Sequence, residues 1–368
     1  MNQKPRYKLV RPLPYPYKAG LAISNDAEFM SANFFDGLMA FLNSSKPTPL
    51  GNGLNLEVTS SAFFYSAHPY NFSYFRGAKI KGVPTAFAGR MKDYLKSGLI
   101  DTLHAYGDFD GVGGFLRGHA ERALDTLEQL NVVIPIYTNH GDIANRQNIG
   151  GDASYHQGDI PNTPCYHTDL LKLHGTRYIW TDTAIFGEPN EQNIGWKRYI
   201  SRRSYNQSTP LLTNWKLQDG QNMKRFVRFR GTGGNAPNLS SLGYQIDKLD
   251  LPDLYINNKI TVLYQHLGIQ YRSGGKCVAA TFEAMLERPE IYLAPWYFLA
   301  KEVGEGRLWL SGLARVLQYQ DMLSSINVEV DKAGSIELKT DKTIIDPSEN
   351  FQGLTIYVEP RMEPIVTY

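Results

Sequence analysis

The sequence predicts an α/β protein, an incomplete seven-stranded parallel (β/α) barrel followed by a small C-terminal β segment. Strand-like and helix-like segments alternate along residues 1–321, which favours a parallel sheet, and closure into a barrel is one way to remove its edges. Residues 322–368 instead alternate with a period of two, as antiparallel strands do. A chain of 368 residues is long enough for this division into a barrel, 1–321, and a small β appendage, 322–368.

Seven short segments rich in apolar and β-branched residues are predicted to form the strands of the barrel. They are Gly20–Ser24, Leu56–Tyr65, Leu99–His104, Val132–Tyr137, Arg177–Thr181, Arg225–Phe229 and Ile260–Gln265. The strands expected in the appendage are Ile326–Val330, Ser335–Lys339 and Leu354–Val358.

Helical patterns separate these strands. The clearest runs from Ala120 to Leu130, where apolar residues recur at helical spacing. Thr85 is a suitable N-cap for a helix that reaches Lys96, and Gly175 can end a shorter helix. A further helix is expected around Val278–Leu286.

Composition excludes several classes of protein. The net charge is +2 and charges of both signs are interspersed, whereas a nucleic-acid-binding surface needs clustered Lys and Arg. No stretch reaches the roughly 18 consecutive apolar residues of a membrane helix. The first residues lack the apolar core of a signal peptide, and two cysteines, Cys165 and Cys277, do not make a disulfide scaffold. We therefore expect a cytoplasmic protein, and the sequence predicts no oligomeric state.

Polar residues follow six of the seven predicted strands, where the carboxyl ends of parallel strands would bring them to one rim. They are Asp26 and Glu28 after the first strand, His104 and Asp108 at the third, Asn139 and His140 after the fourth, Asp182 after the fifth, Arg230 after the sixth and His266 after the seventh. Histidines combined with carboxylates suit a divalent metal, with zinc as the favoured ion. We predict Asp26, His104 and Asp108 as its ligands, because a tight loop can bring His104 and Asp108 onto one ion.

Five segments resemble, in order and placement, the five motifs of the polysaccharide deacetylase superfamily, carbohydrate esterase family 4 and its relatives. They are LAISNDAE, LHAYGD, IYTNHGD, RYIWTD and TVLYQH. The resemblance covers about residues 18 to 268. It implies an incomplete seven-stranded barrel, a catalytic Asp, an Asp-His-His metal triad, a substrate-side Arg and a late general-acid His, which corresponds to His266.

The first motif contains only one of the family's two Asp residues, and this leaves two alignments open. In one, Asn25 replaces the base, Asp26 is the ligand and Glu28 is the base candidate. In the other, Asp26 is the base, Ala27 replaces the ligand, and Glu28 can cover the missing role. Asp108 stands where the family has its second metal His.

The predicted function is a metal-dependent hydrolase that removes acetyl groups from a sugar or glycan, in polysaccharide biosynthesis or modification. Glu28 is the predicted base and His266 the acid, and His140 either binds the metal or stabilises the oxyanion. The predicted substrate-binding residues are Tyr106, Asn139, Trp180, Asp182 and Arg230. A total of 23 Tyr and 5 Trp residues agrees with a carbohydrate substrate, since their rings suit sugar faces.

Two alternatives stay open. The first is a glycoside hydrolase or lyase that uses paired carboxylates, either Glu28 with Asp108 or Asp26 with Asp182. The second is a non-catalytic carbohydrate-binding protein with a degenerate site. Sensitivity of glycan cleavage to chelators, and turnover of an acetylated substrate, distinguish the three hypotheses.

Overall fold

The computed structural model describes residues 10–68, 71–109, 114–140, 145–150, 156–181, 210–231, 236–273, 276–330, 336–340, 352–357 and 366–367. Its strands are β1 Ala19–Asn25, β2 Pro47–Thr48, β3 Gly51–Asn52, β4 Ser60–Ser66, β5 Ser73–Arg76, β6 Ile100–His104, β7 Gly107–Asp108, β8 Ile136–Thr138, β9 Tyr178–Trp180, β10 Leu212–Lys216, β11 Asn222–Phe226, β12 Ile260–Gln265, β13 Ile269–Ser273, β14 Lys276–Ala279, β15 Leu308–Leu310, β16 Ile326–Val330, β17 Ile336–Thr340 and β18 Val366–Thr367. Its helices are α1 Ala32–Asn43, α2 Ala88–Lys96, α3 Arg117–Gln129, α4 Thr168–Leu173, α5 Leu242–Lys248, α6 Leu251–Asn257, α7 Phe282–Glu287, α8 Pro289–Tyr292, α9 Ala294–Gly304 and α10 Leu313–Ser325, with a 3₁₀ turn at Leu239–Ser241.

Two arcs of mostly parallel strands form the centre of the molecule. The larger arc has the order β10-β11-β9-β8-β6-β4-β5, and all of its neighbours are parallel except β10 and β11. The smaller arc, β12-β1-β15, is parallel throughout. The mixed α/β class and the parallel sheet are thus as predicted.

The two arcs approach each other at both ends. Phe229, beyond β11, donates its N–H to the Val262 carbonyl at 2.6 Å and accepts from Tyr264 N at 3.0 Å. On the opposite side, Asn25 Nδ2 donates to Ser60 Oγ at 2.8 Å. These contacts do not make a continuous backbone ladder among the described strands, so the sheet is not closed and the barrel stays a prediction.

Burial follows the expected pattern for parallel strands between layers. Every residue of β1, β4 and β6 is buried, which requires cover on both faces of the sheet. Helix α1 supplies part of that cover with Phe34, Phe35 and Leu38. It begins at Ser31, whose hydroxyl accepts the N–H of Phe34.

Several sequence predictions need correction or refinement. Helix α2 begins only at Ala88, and Phe87, not the predicted Thr85, is its N-cap residue. The segment Val278–Leu286 is not one helix: β14 pairs with β13, and α7 begins only after Thr281, whose hydroxyl caps Ala284 N. In the predicted strand Leu354–Val358, the described part shows an isolated bridge from Ile356 to Val10. Helix α10 runs to Ser325, so the predicted boundary at 321/322 falls inside a helix.

None of the helices in the described ranges is long and apolar enough to span a bilayer.

Candidate metal centre

The carboxyl ends of the parallel strands carry a group of polar and aromatic side chains. They are Asp26 and Glu28 beyond β1, His104 at the end of β6, Thr138 and His140 at β8, Trp180 at the end of β9, Arg228 beyond β11, and Tyr264 and His266 at β12. Residues up to 242 positions apart are joined at this rim, as when Asn25 Oδ1 accepts from Leu267 N at 2.8 Å. The position is the one where open α/β sheets bind their ligands.

Glu28, His104 and His140 form the group that could hold one metal ion, and we call these three residues the metal centre. One ligand atom from each lies within 4.8 Å of the other two. Glu28 Oε1 is 3.2 Å from the Nε2 atoms of both histidines. His266 approaches the same oxygen, with its Nε2 at 3.6 Å.

Hydrogen bonds at the far side of the rings orient two of these histidines. Nδ1 of His266 lies 2.8 Å from the Pro237 carbonyl, which can only accept, so this nitrogen carries a proton. Nδ1 of His104 lies 2.9 Å from Thr138 Oγ1, and the Thr138 hydroxyl in turn donates to the Leu103 carbonyl at 3.4 Å. In a neutral ring of this tautomer the Nε2 lone pair faces Glu28, and in a protonated ring the same nitrogen donates a hydrogen bond to the Glu28 carboxylate.

Two imidazole nitrogens that face one carboxylate oxygen form a group that could hold a cation. A proton on His104 is disfavoured, because burial lowers the pKa of its imidazole although the charges of Asp26 and Glu28 partly oppose this. Two imidazole nitrogens and one carboxylate suit zinc and other first-row divalent ions, and the donor set does not identify which.

The Glu28 carboxyl is held in its ionised form. Burial by itself raises the pKa of this group, but the charge of His266 and hydrogen bonds with His104, His140 and His266 outweigh it. The result is a pKa well below the usual value for Glu. An ionised carboxylate at neutral pH is the form that binds a metal.

Asp26 lies beside the metal centre and pairs with a buried arginine. Nη1 of Arg228 donates to both carboxylate oxygens of Asp26, at 3.0 and 3.1 Å, and to Ser24 Oγ at 3.1 Å. Asp26 Oδ2 is still only 3.7 Å from His104 Nε2. The arginine thus holds the Asp26 carboxylate next to the metal centre.

The aromatic residues Trp180 and Tyr264 contact the side chains of Arg228 and His266. The guanidinium of Arg228 lies between the rings of Trp180 and Tyr264, 3.4 and 3.7 Å from their centroids. The Tyr264 hydroxyl is 3.3 Å from His266 Nε2. Such stacking leaves Arg228 little freedom to leave Asp26.

The predicted ligand set shares only His104 with the metal centre of the structure. The chain turns sharply after His104, because Ala105 has a positive φ of 46°, and β7 then pairs with β4. This path places Asp108 opposite Ser66, where its Oδ2 accepts from Asn71 Nδ2 at 3.4 Å. Among the described residues, the group that could hold a metal ion contains Glu28 and His140 beside His104, and does not contain Asp26 or Asp108.

The predicted substrate-binding residues lie in different environments. The Tyr106 ring is fully buried and stacks on Phe115 with centroids 5.6 Å apart, so it exposes no face to a sugar. Asn139 is also buried, and its amide is hydrogen-bonded to the backbone of Ile149. Trp180 is 7% exposed and stacks on Arg228.

Arg230 and Asp182 were also predicted to bind the substrate. Arg230 is buried at the rim, and its carbonyl accepts from Gln245 Nε2 at 2.6 Å. Asp182 lies outside the described residues.

Sequence reasoning missed Arg228 and Thr138. Arg228 lies inside the apolar run from Phe226 to Phe229. A charged residue in a run that is expected to be buried needs a partner, so the sequence did contain a signal for this residue. Thr138 ends an ordinary apolar strand, and nothing in its sequence context separates it from other threonines.

No family model, curated protein or solved structure matches the chain.

Proposed function

We propose that the protein is a metal-dependent hydrolase that removes acetyl groups from a sugar or glycan, in polysaccharide biosynthesis or modification. One observation carries the proposal. Glu28, His104 and His140 converge at the carboxyl ends of parallel strands, with an Arg-bound Asp26 at 3.7 Å and His266 at 3.6 Å from their ligand atoms. The set resembles the one that the deacetylase-like motifs imply, with Glu28 in place of the family's ligand Asp and His140 in place of the second metal His.

The arrangement of the sheet supports an incomplete barrel of the deacetylase type. The two parallel arcs are bridged between Phe229 and Leu263, and side-chain contacts join β1 to the start of β4. In such a barrel the loops that carry the motifs would surround the metal centre at the carboxyl ends of the strands, which is where a substrate would have to bind.

Glu28, His104 and His140 would hold a divalent ion, with zinc as the favoured ion, which supplies Lewis acidity to polarise the acetyl carbonyl. Three protein ligands are typical of catalytic zinc sites, which keep a position open. Because the side chain of Glu28 is one methylene longer than that of Asp, it reaches this position from one residue further along the loop.

The second alignment of the first motif fits this geometry. Asp26 acts as the general base, and the hydrogen bonds from Arg228 orient its carboxylate for accepting a proton from water. His266 acts as the acid, delivering a proton from Nε2 to the leaving nitrogen or oxygen. The Pro237 carbonyl holds the ring in the orientation this transfer needs.

The paired-carboxylate alternative makes different demands on the same residues. A glycosidase of that kind needs one carboxyl group that is protonated at working pH. Glu28 has a pKa well below its usual range, so in its pair with Asp108 the role of the acid would fall to Asp108. Cleavage of a glycan that survives chelation would favour this alternative.

Metal content tests the proposal. Purified protein should contain close to one divalent ion per chain by mass spectrometry, and His104→Ala should lose it. His174→Ala is the control, because His174 follows α4 outside the metal centre. The wild type should also release acetate from N- or O-acetylated oligosaccharides in a chelator-sensitive manner. Full metal occupancy in His104→Ala, or acetate release that survives chelation, contradicts the proposal.

A further inference from the structure

Residues 145–150 bury three amide side chains beside the metal centre, and we call these residues the clamp segment. Asn145, Gln147 and Asn148 are 2%, 0% and 0% exposed. Buried amides are costly unless their hydrogen bonds are made. The partners of these three amides are backbone groups of the loops that carry the histidine ligands.

Asn148 holds both backbone polar groups of His140. Its Oδ1 accepts the His140 N–H at 3.0 Å, and its Nδ2 donates to the His140 carbonyl at 3.0 Å. Asn145 Nδ2 donates to the same carbonyl at 2.7 Å. The peptide groups on either side of the His140 Cα are thus fixed by side chains.

The residues next to this pair form the reciprocal contact. Asn139 Oδ1 accepts the Ile149 N–H at 3.0 Å, and Asn139 Nδ2 donates to the Ile149 carbonyl at 2.9 Å. The dipeptides Asn139–His140 and Asn148–Ile149 are therefore joined by two two-point contacts, although neither belongs to a strand.

Gln147 makes the same kind of contact with the loop after His104. Its Oε1 accepts Tyr106 N at 2.9 Å, and its Nε2 donates to the Gly107 carbonyl at 2.7 Å. The Tyr137 hydroxyl donates to the Gln147 carbonyl at 2.9 Å. One short segment thereby ties together the loops that follow β6 and β8.

His140 needs such support because it lies two residues beyond the end of β8, outside the sheet ladder. From this geometry we infer that the clamp segment supports the metal centre, and that Asn148 is a positioning residue for His140. The inference rests on the proposed metal binding. Residues that orient metal ligands typically change metal affinity by about 10- to 100-fold when they are removed.

The chain offers a matched control far along the sequence. Asn43, at the end of α1, makes the same two-point contact with Val58, accepting its N–H at 2.7 Å and donating to its carbonyl at 2.9 Å. Asn43→Ala therefore removes the same chemistry from a contact that holds no metal ligand.

The experiment measures Zn²⁺ affinity by competition with a chromophoric chelator, together with thermal unfolding, in the full-length protein. Both Asn148→Ala and Asn43→Ala should lower the melting temperature. Only Asn148→Ala should weaken Zn²⁺ binding, by about 10- to 100-fold. If Asn148→Ala does not fold, Asn148→Ser replaces it and should show the same loss, because a single hydroxyl cannot make both contacts.

The outcomes separate the two proposals. Wild-type affinity in the folded Asn148 variant, or an equal loss in Asn43→Ala, overturns the role of Asn148 and leaves the metal centre standing. A wild type that binds no Zn²⁺ overturns the metal centre and this inference together.

Discussion

Strand β6 has a buried ionisable residue near each end, Asp101 and His104, and the two residues have different hydrogen-bond partners. Near its amino end, the Asp101 carboxylate accepts hydrogen bonds from Thr59 Oγ1, Thr102 Oγ1 and Ala314 N. At its carboxyl end, His104 faces the Glu28 carboxylate across 3.2 Å. Asp101 and Glu28 are thus two carboxyl groups, one near each end of β6, that have different partners.

Their pKa values move in opposite directions. Burial raises the pKa of Asp101 to about 6, because its hydrogen-bond donors are neutral and only partly offset the loss of solvation. Burial also acts to raise the pKa of Glu28, but the surrounding imidazoles lower it well below its usual range. The donors around Asp101 are neutral, whereas the neighbours of Glu28 include imidazole rings that favour the ionised form of its carboxyl group.

The Glu28 carboxylate is expected to be required for metal binding. Glu28→Gln should abolish stoichiometric metal binding, since a neutral amide is a poor ligand for a hard or borderline divalent ion. Asp101→Asn should keep full occupancy. Mass spectrometry of both purified variants measures this, and equal metal content in the two would refute the assignment of Glu28 as a ligand.

The next effect concerns the ion pair at the rim. Arg228→Met should destabilise the protein by about 3–5 kcal/mol, because it leaves the Asp26 carboxylate buried without its charged partner. The additional change Asp26→Asn should restore most of this loss. Urea denaturation at pH 7 measures both. Failure of the double variant to recover stability would show that Arg228 acts through stacking on Trp180 and Tyr264 instead.

The raised pKa of Asp101 predicts that the free energy of unfolding depends on pH. The folded pKa of Asp101, about 6, lies above its unfolded value of about 3.9. The folded state therefore holds this proton more tightly, and its contribution to stability is complete below pH ~4 and lost as the pH rises through 6. The loss amounts to about 3 kcal/mol.

Asp101→Asn isolates this contribution. Its amide oxygen can accept from Thr59 and Ala314, while its NH₂ donates to Thr102 Oγ1. The difference in unfolding free energy between variant and wild type should rise in favour of the variant from pH 4.5 to pH 7. A difference that does not change with pH contradicts the raised pKa.

The hydrogen bond between Thr138 and His104 is expected to have a smaller influence on metal affinity. Thr138→Val removes the acceptor for His104 Nδ1–H and should weaken Zn²⁺ binding by about tenfold, near the lower limit for such changes. Thr138→Ser keeps the hydroxyl and should bind as the wild type does. Competition titration distinguishes them, and equal loss in both variants would mean that packing of the methyl group matters more than the hydrogen bond.

The sequence by itself determined the alternation of strands and helices and the rim to which the polar residues belong. Periodicity predicted β1, β12 and β16 closely, because local burial patterns follow directly from side-chain type. The positions of His104, His140 and His266 at strand ends were equally readable. These features depend on residues that are neighbours in the chain, and they can therefore be predicted from the sequence.

The tertiary structure was needed to distinguish the surroundings of the carboxylates. Asp26 and Glu28 are two residues apart and chemically alike, but Asp26 pairs with Arg228, which lies 202 positions away, and Glu28 lies against His104 and His140. The position of Asp108 opposite Ser66 depends on the turn at Ala105 and the pairing of β7 with β4. A buried charge is assigned by the partner that the fold brings to it, and no local pattern reports a partner so distant in the chain.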